Sequence, residues 1–325
     1  MPSLRTHEPA VVAITGARGF LGGELARRLA GRGVRVVALG LERAEGLGPE
    51  VGFARLDLCQ PDAPARLAEL LTKEGVEALV HTAFRREPSP DVELDRELDA
   101  IGSLHVMNAC AAAKLGRLVV ASTTMVYGPW PDNPNFLDES QPLRGHPDAH
   151  LVRARVEMEE DAARFRARHP STELSVLRCG WVLGPRTASP VSRTFSLPVV
   201  PVPLGYDPLL QLLHEEDQVE AFEAAVCESR PGVYNVVAPG VLPVSTLLRL
   251  AGQRSLPLPS ALLDRLAYIP SRGRTGDPPR AFYDYLRHLW VADGERGWEA
   301  FGRPHYSTRE TWMSFVSARR MRRYR

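Results

Sequence analysis

The chain is nearly without lysine: Lys73 and Lys114 are its only two, and every other strong base is an arginine. An arginine where a lysine would be expected is therefore weak evidence of altered chemistry in this chain. Cysteine is also scarce. Cys59, Cys110, Cys179 and Cys227 lie far apart and form no CxxC pair. That argues against a zinc or disulfide framework and for small buried hydrophobes in a reducing compartment. No apolar run approaches the roughly 20 residues of a membrane span, and MPSLRTHEPA at the start lacks the apolar core of a signal peptide. Net charge is only +1, so the bulk charge favours neither nucleic acid nor membrane as a partner. Cytoplasmic location is the default expectation.

The 325 residues, 44 % hydrophobic and 24 % charged, are those of a globular protein with one large domain or a domain plus an elaboration. Apolar runs at 10–15, 34–39, 51–56, 78–81, 117–122 and 174–178 alternate with helical patterns at 20–32, 64–74, 91–114 and 148–169. This alternation predicts an α/β fold with a parallel sheet covered on both faces. In the last of these helices, HLVRARVEME opens at His150. Leu151, Ala154, Met158 and Ala162 form an apolar stripe, while Arg153–Glu157, Arg155–Glu159 and Glu160–Arg164 suggest an exposed charged face.

After residue 184 the pattern loosens. The proline-rich stretch SPVSRTFSLPVVPVPLGYDP argues against a helix or a central strand and predicts a loop over a ligand site. Residues 233–238 read as a strand, Ser245 as a helix cap, and Ser307–Glu310 as a capping box. FYDYLRHLW at 282–290 reads as core packing. His214-Glu215-Glu216-Asp217 suits a helix N-terminus better than a metal site. The basic tail ARRMRRYR is expected to be a frayed, solvated helix end.

The most specific feature is TGARGFLG at 15–22, placed between the first strand and the first helix. Gly16 permits the tight turn, Gly19 lets backbone approach a pyrophosphate, and Gly22 lets helix and strand pack closely. The helix N-terminus then offers free N–H groups to phosphate. The second strand ends at Gly40, where an acid would bind the ribose of NAD. Arg43 could pair with a 2′-phosphate and Glu42 could bind a ribose; the balance leans slightly to NADP over NAD.

These stretches, with LDL at 56–58, VHTAF at 80–84, ASTTMVYGP at 121–129, LRCGWVLGP at 177–185, LLQLLHEEDQVEAF at 209–222 and VYNVVAPG at 233–240, run in order along most of the chain. The sequence resembles the extended or atypical short-chain dehydrogenase/reductases, the group of NAD-dependent epimerases and dehydratases. The resemblance implies a doubly wound parallel sheet (Rossmann fold) over 1–183. It implies a smaller, mainly substrate-binding part over 184–325, with about 209–240 returning to the core. It also implies that Gly16, Arg18, Gly19, Phe20, Leu21 and Gly22 hold the dinucleotide. Asp57 and Leu58 would lie by the adenine, Thr82, Ala83 and Phe84 would line its path, and Arg43 and Arg155 would contact it.

The chemistry of such relatives rests on a Ser or Thr, a Tyr and a Lys. The hydroxyl residue corresponds to Thr123. Tyr127 belongs to the VYG loop and does not correspond to the relatives' catalytic tyrosine. No YxxxK occurs between 127 and 170; the best register puts Leu151 and Arg155 at those positions. Asp99 stands where relatives often carry Asn. If the chain is an oxidoreductase, its proton chemistry is non-standard. Thr123 and Arg155 would stabilise developing charge, and the acid would be His150, Tyr127, Tyr206 or His81. The alternative is a dinucleotide-binding sensor or partner protein without catalysis. The apolar lid, with Arg186 and Arg193 nearby, suggests a small apolar or aromatic substrate. The expected partners are that substrate and, at most, a second copy of the chain.

Overall fold

Runs of β-branched and small apolar residues form seven parallel strands: β1 (Val11–Thr15), β2 (Arg35–Gly40), β3 (Val51–Arg55), β4 (Ala78–His81), β5 (Arg117–Thr123), β6 (Glu173–Cys179) and β11 (Gly232–Val236). Their order across the sheet is β11-β6-β5-β4-β1-β2-β3. β1 pairs with β2 on one side and β4 on the other, so Thr15 lies level with both Leu39 and His81. The winding reverses there, and the carboxyl ends of β1 and β4 open a crevice. This computed structural model describes residues 8–85, 93, 96–267 and 280–322.

Two helices, α1 (Phe20–Gly31) and α6 (Glu215–Cys227), cover one face of the sheet. The other face is covered by α2 (Ala63–Lys73), α3 (Gly102–Ala112) and α4 (His150–Arg168). Burial on both faces explains why the inner strands read as unbroken apolar runs. Of the helix expected over 91–114, a π-turn at Glu97–Ile101 runs into α3. Residues 91–92 and 94–95 lie outside the described residues. The helix ends early because Lys114 takes a left-handed φ of 51°.

In α4, Ala154, Met158 and Ala162 are buried as the 3.6-residue period requires. The Arg155–Glu159 pair is not an exposed one. Both side chains turn inward, Arg155 to Asp99 and Glu159 to Arg178. Glu157 reaches Arg96 on the π-turn side instead.

The smaller part packs around its own aromatic core. Its parallel pairs are β7 (Trp181–Leu183) with β10 (Leu212–His214) and β8 (Val199–Pro203) with β13 (Arg254–Leu258). A short antiparallel pair joins β9 (Leu209–Leu210) to β12 (Leu242–Pro243). The helices are α5 (Pro190–Thr194), α7 (Val244–Leu250), α8 (Ser260–Ala267), α9 (Arg280–Asp284), α10 (Glu295–Phe301) and α11 (Thr308–Arg322). Phe195, Tyr285 and Trp312 are fully buried here. Each such side chain stabilises the fold by about 1.5–3 kcal/mol.

Three local expectations are corrected. The proline-rich stretch does contain a helix, α5, because Pro190 sits in its first turn, where no N–H is needed, and Ser189 and Ser192 form a capping box. It also contains β8, whose prolines are tolerated in a two-stranded ribbon without a central position. Ser245 is not a cap: α7 starts at Val244, and the N–H and hydroxyl of Ser245 both donate to Asp207. The basic tail stays helical as far as Arg322, with Arg320, Met321 and Arg322 exposed, and residues 323–325 lie outside the described residues. Trp312, Phe315 and Val316 are buried, and Arg319 and Arg320 donate to the carbonyls of Phe195 and Ala251. Ser307 and Glu310 form the expected reciprocal cap.

Candidate active site

The crevice begins with Thr15, whose hydroxyl ties β1 to β4. It bonds His81 Nδ1 at 2.8 Å and accepts from the N–H groups of Thr82 and Ala83. With the strand ends this close, Gly16 is obligatory. Its φ is +76°, and a Cβ would lie 2.5 Å from the Thr82 carbonyl oxygen. A Cβ at Gly22 would lie 2.7 Å from the Gly16 carbonyl oxygen. Gly19 precedes α1 with no side-chain cap among the described residues, and the first turn of α1 carries no acid. This cradle fits a pyrophosphate.

From the cradle, a cleft of about 420 Å³ runs across the ends of β4, β5 and β6 to the smaller part. It gathers Gly16, Gly19, Phe20, Leu21, Gly22, Thr82, Phe84, Thr123, His150, Leu151 and Arg155. Arg18, Arg43, Asp57, Leu58, Ala83 and Tyr127 are not in its lining.

Arg43 has another task. Its guanidinium donates to the carbonyls of Gly48 at 2.8 Å and Val51 at 2.9 Å, closing the loop into β3. Its Nη2 is thereby held by the loop. The exposed pair at this rim is Arg18–Glu42, 2.7 Å apart. Asp57 caps its own turn by accepting from the N–H of Cys59, and the Leu58 carbonyl bonds His105 Nδ1.

At the centre of the cleft Arg155 is fixed from three sides. Nε donates to Asp99 at 3.1 Å, Nη1 donates to the Ala121 carbonyl at 3.1 Å, and the guanidinium lies 3.5 Å from the centre of the Phe84 ring. Asp99 is fully buried and also accepts from the Arg85 N–H. Burial pulls the Arg155 pKa below its usual value while Asp99 opposes the shift, and the group stays cationic. Thr123 caps the following 3₁₀ turn, Thr124–Tyr127, by accepting from the Met125 N–H. Among the described residues its own hydroxyl hydrogen has no acceptor, and Thr123 lines the cleft.

The candidate acids separate clearly. Tyr127 is corrected: its buried phenol donates to Asn235 at 2.7 Å and accepts from Arg178 at 2.8 Å. Burial pushes its pKa up to about 12. His81 is locked between Thr15 and Ser103, and burial pushes its pKa down to about 3, so it stays neutral. Tyr206 is an exposed residue with its ring against His288, outside the cleft lining. His150 lines the cleft, and its buried Nδ1 has no partner among the described residues.

Sequence reasoning missed a buried charged network. Glu159 receives Arg178 Nη2 at 2.7 Å and the hydroxyl of Ser122; Arg178 in turn holds Tyr127. The available signal was Arg178 itself, a charge inside the apolar strand run LSVLRC. A second omission is Glu215. It is 1 % exposed and accepts from the N–H groups of Arg186 at 3.0 Å and Thr187 at 2.6 Å. It thereby fixes the loop that brings Thr187 and Ala188 to the cleft. Arg186 is spent on Glu24, Glu215 and Glu216.

The far wall is aromatic, and its polar atoms are used internally. Trp181 stacks on Phe282 with ring centroids 5.1 Å apart and donates to the Met125 sulfur. The Tyr285 hydroxyl donates to the Met125 carbonyl at 2.7 Å. His146 Nε2 lies 3.0 Å from Asp284 Oδ2, clamping the segment before α4 to α9.

The model of the NAD-dependent epimerase/dehydratase family matches residues 12–236. An uncharacterized protein of Mycobacterium tuberculosis is 29 % identical over 322 residues, covering 96 % of this chain and 84 % of its own length. A 2-alkyl-3-oxoalkanoate reductase of Stenotrophomonas maltophilia is 34 % identical over 116 residues, covering 35 % of this chain and 34 % of its own. Among solved structures, the UDP-glucose 4-epimerase of Thermotoga maritima with UDP-glucose has a TM-score of 0.73 at 18 % identity. MoeE5 in complex with UDP-glucuronic acid and NAD has a TM-score of 0.72 at 22 % identity. Each covers 96 % of this chain and 99 % of its own, and they share its fold.

Proposed function

The chain belongs to the NAD-dependent epimerase/dehydratase family, and from that premise we propose that it is a nicotinamide-dinucleotide-dependent oxidoreductase for a small apolar or aromatic substrate. The observation that carries this reading is one cleft with a glycine cradle at one end, an aromatic wall at the other and a fixed guanidinium between them. Gly16, Gly19, Gly22 and the start of α1 would hold the pyrophosphate, and the exposed Glu42 would accept from the adenosine ribose. The nicotinamide supplies hydride exchange when bound.

The residues of this chain do the rest without a catalytic tyrosine. Leu151 offers only an apolar surface. Arg155, immobilised by Asp99 and Ala121, presents a permanent positive charge where negative charge develops on a substrate oxygen. The Thr123 hydroxyl orients that oxygen. His150 is the proton donor. For the substrate, the aromatic wall with its polar atoms turned inward favours apolar contact over recognition of a diphosphate. The partial match to a reductase of 2-alkyl-3-oxoalkanoates points the same way.

Fluorescence titration with NADH and NADPH tests the cofactor. A panel of carbonyl and enone substrates, run on the protein and on Thr123→Ala, tests the reaction. Turnover that falls about 10²–10⁴-fold in His150→Ala supports the assigned acid. Micromolar dinucleotide binding with no turnover on any substrate favours the second reading, a non-catalytic sensor, which Leu151 beside an intact cradle motivates. Absence of binding at millimolar dinucleotide overturns both.

A further inference from the structure

The net charge of +1 hides a division along the chain. Three stretches, 174–206, 229–263 and 311–325, contain no aspartate or glutamate. The structure packs parts of all three together. Gln253 donates from the start of β13 to the carbonyls of Phe195 and Leu197 ahead of β8. From α11, Arg319 donates to the Phe195 carbonyl and Arg320 to that of Ala251. The surface around the β8–β13 ribbon draws on these three segments, and Asp207, exposed next to Tyr206, adjoins it.

The same surface carries large exposed apolar side chains. Leu197, Val199, Leu204, Tyr206, Leu256 and Leu262 are 42–56 % exposed. They all belong to the ribbon, its flanking turns or α8. Pairing explains the outward face: Val199 lies opposite Arg254 and Pro201 opposite Leu256, while Val200 and Val202 are buried beneath. Exposed Leu or Val side chains are ordinary when scattered; six on one ribbon and its flanks form a patch. Arg249 and Arg254 stand exposed beside it.

We propose that this ribbon is a peripheral docking surface for an anionic lipid bilayer. Apolar side chains would enter the headgroup boundary, and the arginines beside them would meet lipid phosphates. The charge complementarity comes from exposed Arg249 and Arg254, while the flanking carboxylate of Asp207 is held by the N–H and hydroxyl of Ser245. A nucleic acid would satisfy the arginines but leave the apolar ridge in water. No helix among the described residues is long and apolar enough to cross a membrane, so the contact is with the surface. The placement suits an apolar substrate, since Pro190 and Val191 of the cleft wall lead directly through α5 into β8.

The test is flotation of the full chain with phosphatidylcholine vesicles, with and without phosphatidylglycerol. Binding is expected only with phosphatidylglycerol and is expected to fade at high salt. Arg249→Gln and Arg254→Gln should each weaken it about fivefold. The double variant Val199→Asp/Leu256→Asp should lose it. These positions lie outside the cleft lining, so thermal unfolding and dinucleotide binding should be retained and serve as the control for folding. Failure to float with phosphatidylglycerol, or flotation unaffected by the aspartates, overturns the proposal. So does a self-association seen by sedimentation, or retention of RNA, that the aspartates abolish in place of vesicle binding.

Discussion

Arg155 and Asp99, 56 residues apart in the chain, form a buried ion pair at 3.1 Å under the middle of the cleft. Each alone looks like the loss of a family residue, a lysine in one case and an asparagine in the other. Together they are a matched replacement: the longer, permanently charged side chain meets a full negative charge where relatives often have an amide. The pair should behave as a unit. Asp99→Ala leaves a buried cation unpaired and is expected to cost about 3–5 kcal/mol. Asp99→Ala/Arg155→Ala should cost less than Asp99→Ala and Arg155→Ala summed. Urea unfolding of the two single variants and the double variant, read as a cycle, measures the coupling. Strict additivity would mean the pair contributes nothing as a pair.

The assignment of Tyr127 to structure rather than chemistry is separately testable. Tyr127→Phe deprives Asn235 Oδ1 of its donor and Arg178 of an acceptor. A stability loss of about 1–3 kcal/mol is expected, with dinucleotide affinity unchanged. A variant of ordinary stability and collapsed turnover would return Tyr127 to the list of acids.

Much of the first half was legible because its signals are local. The glycine turn works through its own backbone angles and a close approach to Thr82, and the sheet follows from apolar runs of strand length. The pairings of the site were less legible. Arg155 with Asp99, Glu159 with Arg178 and Glu215 with Thr187 join residues whose separation carries no periodic signal. Arg43 illustrates the limit: its position suited a phosphate, but nearby backbone carbonyls were closer partners. In the smaller part, prolines in SPVSRTFSLPVVPVP looked incompatible with regular structure. They occupy the places that tolerate them, a helix first turn and a two-stranded ribbon.

The His146–Asp284 clamp gives a pH dependence of definite sign. Burial would raise the Asp284 pKa, but the hydrogen bond to His146 and the nearby Arg287 and His288 hold it below the usual 3.8. The folded pKa of a carboxyl is thus below its unfolded value. Its contribution to stability is full above the unfolded pKa and is lost as pH falls through the folded one. Thermal unfolding of wild type and Asp284→Asn should differ most at pH above about 5 and converge in strong acid. Because the clamp joins the α4 side of the cleft to the aromatic wall, the variant should also raise substrate KM more than it lowers kcat. A constant gap in melting temperature down to strong acid would refute the ionic origin of the clamp.

The proposed ribose contact of Glu42 makes the exposed Arg18–Glu42 pair a test of cofactor choice, beside an Arg43 whose Nη2 is held by the Gly48 and Val51 carbonyls. Both groups are exposed, so their attraction for each other is weak, and either can turn to a ligand. Glu42 can accept from the ribose hydroxyls of NAD and repels a 2′-phosphate. Arg18, released from Glu42, can pair with that phosphate. Glu42→Ala should therefore weaken NADH binding by a factor of about 5–30, equivalent to about 1–2 kcal/mol, and strengthen NADPH binding. Arg18→Ala should leave NADH binding nearly unchanged and weaken that of NADPH. Titrations at two ionic strengths separate charge from packing, because only the phosphate contact is strongly screened. If Arg43→Ala changes the preference and Glu42→Ala does not, the loop-closing role assigned to Arg43 is incomplete and the discriminator lies on the other side of β2.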